Sequence, residues 1–168
     1  MPVSERPVVM RLPLLLLALL TTSAQAQQRP PVLYFQLGGE GLGLSANFDV
    51  GVTQSLRLRA GAGYMWLAGT VPISASYLLT RKNSTFEIGG GATAVISPAD
   101  RNKDDNSLTH VLERVIFLEG QGTKVLGVGI LGYRYHPAEG ALLRLTFTPL
   151  VYRGQVHGFG GLSFGFTF

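Results

Sequence analysis

GLSFGFTF, residues 161–168, ends the chain. Leu162, Phe164, Phe166 and Phe168 are large and apolar, whereas Gly161, Ser163, Gly165 and Thr167 are small or polar. On a strand, alternate residues point to opposite faces. A soluble sandwich strand also has one apolar face. Here, however, the other face holds only Gly, Ser and Thr, and the apolar face is aromatic up to the carboxyl terminus. That suits the last strand of a transmembrane β-barrel, aromatics toward lipid and small residues toward a crowded lumen. Leu162, Phe164, Phe166 and Phe168 are also the candidate signal by which a terminal strand engages barrel-assembly machinery.

The start of the chain agrees with its end. Arg6 and Arg11 form a positive region, Leu12 to Leu20 an apolar one, and Ala24-Gln25-Ala26 a small-x-small cleavage site. The apolar run is about half of the ~20 residues that span a bilayer. Residues 1–26 therefore read as a removable signal peptide, and 27–168 as one barrel domain with a loop or insert at 97–121. The chain has no cysteine, so it carries no disulfide framework, thiolate metal site or lipidated cysteine.

Composition points the same way. All 22 glycines lie after the leader. Charged residues are 14% of the chain, well under the usual ~25%. Mean hydropathy is positive, yet no segment after the leader is an unbroken apolar run of helix length. Apolar content must then be carried by alternation, and lipid admits only helices or closed barrels. The net charge of +4 is scattered without a basic stripe, which argues against nucleic acid as a partner.

Seven segments alternate clearly or read as strands, and one is ambiguous. Val32 to Asp49 changes phase: Leu33, Phe35 and Leu37 are odd-numbered, Leu42, Leu44, Ala46 and Phe48 even-numbered, with Gly38-Gly39-Glu40-Gly41 between. It is one strand with a glycine bulge or two strands with a tight turn. Ser55 to Trp66, Val71 to Leu79, Thr85 to Ile96, Lys124 to Tyr135, Ala141 to Leu150 and Phe159 to Phe168 follow. Ser97 to Asn106 is a charged loop, and Leu108 to Leu118 is apolar without clean alternation. Bacterial barrels have an even strand number from eight upward. Eight is reached by splitting the first segment, with 98–121 a single long loop, or by making part of 108–118 the eighth strand. The first count is preferred, because turn chemistry then falls on short periplasmic turns. Both counts put the termini and the His136 to Gly140 turn at the periplasmic side.

The inward faces carry Arg57, Arg59, Glu87, Arg134 and Arg144, with Glu40 a further candidate. An eight-stranded barrel is just wide enough to be filled by side chains. A buried unpaired charge is costly, so these groups are expected to form one polar network that closes the lumen to solutes. The excess of Arg must meet Ser, Thr, Gln36, Asp49 or water. A wet conduction path is the competing reading.

The search for chemistry returns little. His110, His136 and His157 lack metal-ligand spacing, and His136, before Pro137, reads as a solvated turn residue. GGEGLG at 38–43 lacks the strand-then-helix setting of a nucleotide loop. Asp104-Asp105-Asn106 reads as solvated loop rather than a cation site. No catalytic, cofactor or metal residues are assigned, and none is implied by the motifs.

Several blocks together resemble a family of small uncharacterised outer-membrane β-barrel proteins common in Bacteroidetes-type bacteria: GGEGLGLSANFD (38–49), LRLRAGAGY (56–64), VPISASYLL (71–79), FEIGGGAT (86–93), LGYRYHPAEG (131–140), LRLTFTPL (143–150) and GLSFGFTF (161–168). The family usually has an aromatic where this chain has Leu44. The resemblance implies a barrel in the bacterial outer membrane and carries no activity or site residues. The expectation is a non-enzymatic outer-membrane barrel with a structural or surface-binding role, in contact with outer-membrane lipids. The alternatives are a lipid-modifying barrel enzyme, with His157 its one candidate, and a soluble lipocalin-like barrel. The enzyme lacks the His-x-Ser pattern of barrel deacylases, and the lipocalin needs an apolar inward face.

Overall fold

The phase break after Leu37 is a hairpin turn, and this settles the strand count. The computed structural model describes residues 30–65, 68–80, 82–97, 122–137 and 140–168. Residues 1–29, which include the expected signal peptide, Trp66 and the 98–121 segment, including His110 and the Asp104-Asp105-Asn106 cluster, lie outside them. Eight antiparallel strands close into one barrel: β1 (Val32–Gly38), β2 (Leu44–Gly51), β3 (Leu56–Met65), β4 (Ala68–Leu78), β5 (Ser84–Ser97), β6 (Gly122–Tyr135), β7 (Ala141–Tyr152) and β8 (Gln155–Thr167). Each strand pairs with the next, and β1 pairs with β8. β5 pairs directly with β6 from Ser84↔Tyr135 to Ser97↔Gly122. The barrel thus closes without a strand from 108–118.

Three strands start two or more residues earlier than alternation suggests: β4 at Ala68, β6 at Gly122 and β8 at Gln155. Their first residues are largely small or polar, so they carry weak patterning of their own. Pairing with an already placed neighbour extends them, as in Met65↔Ala68 and Tyr152↔Gln155. The β7–β8 turn places Arg153 and Gly154 at φ 48° and 80°, the two-residue hairpin whose twist matches its strands.

The faces are inside out relative to a soluble protein. Leu33, Phe35, Leu58, Ile73, Phe86, Ile88, Leu131, Leu145, Phe147, Phe164 and Phe166 point outward and are exposed, whereas Gln36, Asn47, Asp49, Arg57, Arg59, Glu87, Arg134 and Arg144 are buried inside. The belt is aromatic near the mouth that carries the termini. There Phe48 stands 6.1 Å from Phe168, and Phe86 meets Tyr133 edge-on at 5.5 Å. Leu162, Phe164, Phe166 and Phe168 all lie on this outward face.

The β1–β2 turn carries the main departure from a simple hairpin. A single 3-10 turn, Gly39–Gly41, folds into the lumen and is buried. Gly38 and Gly39 sit at φ 74° and 60°, and the Gly38 N–H donates to the Gly43 carbonyl at 2.7 Å. Gly38, with ψ −146°, occupies a region that only glycine adopts cheaply, and a Cβ there would run into the Gly160 carbonyl. Gly38→Ala is expected to cost about 1–3 kcal/mol, read as a lowered thermal unfolding midpoint in detergent.

Candidate functional site

The lumen is the site in which the polar chemistry collects. β3 turns Arg57 and Arg59 inward by strict alternation, β5 contributes Glu87, β6 Arg134 and β7 Arg144. The structure brings all five together, and Asp49 from β2 and Glu40 from the inward turn supply the remaining anions. Asp49 holds Arg57 Nε and Arg134 Nη1, each at 2.6 Å, through its two oxygens, with Arg59 Nε 3.7 Å away. Arg59 reaches Glu40 and Glu87 at 3.2 Å each and donates to Ser76 Oγ at 3.0 Å. Arg144 donates to Glu87 through Nε and pairs with Glu40 at 3.4 Å. Four guanidinium groups therefore meet three carboxylates, and every carboxylate touches at least two of them. This sharing makes burial of so many charges tolerable, because each desolvated carboxylate keeps at least two charge-assisted hydrogen bonds.

Glu40 is placed by its turn rather than by a strand. Thr93 Oγ1 donates to the Glu40 carbonyl at 2.6 Å, and Thr70 Oγ1 to the Gly41 carbonyl at 3.0 Å. Tyr34 donates its hydroxyl to Glu40 Oε1 at 3.2 Å, and its ring lies 5.9 Å from the Arg144 guanidinium carbon. The turn packs against β1, β3, β4, β5, β7 and β8, so it stands across the lumen as a plug. Gly161 is glycine for this reason: a Cβ there would lie 2.7 Å from Gly39 Cα.

Two further layers flank the ionic one. Toward the terminal mouth, Val32, Tyr34 and Leu142 form a small apolar cluster. Toward the opposite mouth, Leu42, Met65, Ala68, Val95, Leu126, Val128 and Leu150 form a larger one, with Tyr152 and Phe159 against it. Alternation marks these positions as inward but does not distinguish an apolar layer from a charged one.

His136 corrects its sequence reading. It is buried rather than solvated, with Nδ1 3.5 Å from Arg134 Nη2 and its backbone N–H donating to the Asn83 carbonyl at 2.7 Å. Continued pairing with the β4–β5 turn carries it over the terminal mouth, which the His-Pro dipeptide does not announce. His157 stands on β8 opposite Leu150. Among the described residues no group of three His, Asp or Glu is placed to hold a metal.

A closed barrel with apolar residues outside and a shared ionic core inside is a transmembrane-type β-barrel. The N-terminal β-barrel domain of OprF from Pseudomonas aeruginosa, known from its crystal structure, has this fold: it superposes with a TM-score of 0.59 over 84% of this chain and 100% of that one, at 11% identity. No protein-family model and no curated protein matches the chain.

Proposed function

We propose that this protein is a non-enzymatic β-barrel of the bacterial outer membrane. In this reading it is exported by the leader and inserted through its terminal strand, and it serves as a structural or surface-binding element with no solute channel. The resemblance to the Bacteroidetes-type barrel family is part of this proposal. The observation that carries it is the inverted burial pattern: exposed Leu, Ile and Phe outside, and seven buried, mutually paired ions inside. An outer belt of this kind is costly in water and suited to hydrocarbon. A lumen crossed by the Glu40 turn leaves side chains where a pore would hold water.

The test is expression with the leader in a Gram-negative host, followed by envelope fractionation and electrophoresis with and without boiling. The expected result is an outer-membrane band whose mobility changes on boiling, and no conductance steps in planar bilayers. A soluble periplasmic protein with unshifted mobility sinks the membrane reading. Stable ohmic conductance by the folded protein sinks the closed lumen.

A further inference from the structure

The barrel wall is not of even height. β1 ends at Gly38, which pairs with Gly161, whereas β8 continues to Gln155 with partners on β7 alone. On the other side, β2 starts at Leu44, opposite Tyr64. Because the β1–β2 turn folds inward as the plug, the wall above it is a notch between β8 and β3. A groove of about 650 Å³ occupies that notch, within the ~300–1,000 Å³ usual for ligand pockets. Its outer rim is Leu37, Leu44, Leu145 and Leu162, all exposed members of the outer belt. Its floor is Leu42, Met65 and Phe159, which belong to the apolar layer of the lumen. The groove therefore runs from the outer belt down onto buried side chains of the apolar layer of the lumen.

We infer that this notch seats one alkyl chain of a membrane amphiphile, which enters sideways from the bilayer leaflet at the mouth opposite the termini. The inference rests on the membrane reading above. Three features favour an acyl chain over other occupants. The groove is continuous with the surface that meets lipid. Its lining side chains are apolar except for Tyr64, which suits a methylene chain better than a sugar or peptide. Its floor includes Met65, an unbranched and adaptable side chain that conforms to a flexible guest.

Gly160 supplies the test. It lies in the groove, and a Cβ added there meets nothing within 4 Å. Gly160 shares the outward phase of Leu162 at the rim, so Gly160→Phe is expected to fold and to lay its ring across the mouth of the groove. The folded protein, in phosphatidylcholine vesicles doped with a diazirine-bearing palmitate, would be irradiated, digested and mapped by mass spectrometry. The expected result is labelling of Leu42, Met65 or Phe159 in the native protein and its loss to background in Gly160→Phe. Labelling of Ile73 and Ile88 on the far belt should be equal in both. Label on the belt but never on the floor residues overturns the notch and leaves the membrane reading intact. Floor labelling that persists in Gly160→Phe also overturns it. No label on either surface overturns the membrane reading itself. A groove dark to the probe in a protein that migrates as a dimer in mild detergent assigns the notch to a second copy instead.

Discussion

Glu87→Ala is expected to lower barrel stability by about 3–5 kcal/mol, the usual cost of removing one partner from a buried ion pair. Glu87 takes a hydrogen bond from Arg144 Nε and pairs with Arg59 at 3.2 Å. Its loss leaves four buried guanidinium groups facing Glu40 and Asp49 alone. A typical domain has only ~5–15 kcal/mol of stability, so the variant should unfold at clearly lower urea. Its folded, fast-migrating band should also vanish at lower temperature. Glu87→Gln keeps the size and part of the hydrogen bonding and should fall between the two. Glu87→Leu combined with Arg144→Met should recover much of the loss, because an apolar pair removes both desolvated charges. The penalty should persist at high salt, since buried pairs are weakly screened. Unfolding of Glu87→Ala that coincides with the native protein would show that the ionic layer does not hold the barrel together.

Ile73→Arg is expected to cost about 2–4 kcal/mol in a bilayer, the penalty for a cation on the lipid face near the midplane. Ile73 is 62% exposed and lies mid-strand on β4, between Ala60 and Ala92. On the surface of a water-soluble barrel the same change should fall within about ±0.5 kcal/mol. The two outcomes separate a membrane barrel from a ligand-holding soluble one. Tyr77→Arg, in the aromatic girdle nearer the terminal mouth, should cost only ~0–1 kcal/mol, because the penalty fades toward the interface. Urea titrations in phospholipid vesicles read both variants against the native protein. Equal stability of Ile73→Arg and the native protein would mean that the belt does not face hydrocarbon.

Alternation of period two made much of this legible. It turns Arg57 and Arg59, Glu87, Arg134 and Arg144 to one side of their strands, and all five reach the lumen. It also turns Leu162, Phe164, Phe166 and Phe168 outward. Asp49 was visible only as one possible partner, although it shares the inward phase of Ser45 and Asn47. It proves to hold Arg57 and Arg134 at once. Glu40 had no phase to read, because a turn with positive φ obeys no strand period. His136 looked like an ordinary residue before proline and is buried by a neighbouring turn.

The sequence by itself determined the class of fold, the outward and inward sets and the residues of the ionic layer that lie on clearly alternating strands. These follow from a two-residue period, which each strand expresses locally. The tertiary structure alone decided that the glycine-rich break folds inward as a plug and that Glu87 meets Arg144 and Arg59. It also decided that the wall is notched between β8 and β3. Each depends on the register and closure of all eight strands, which bring residues far apart in the chain to one level of the lumen. No local pattern encodes that level.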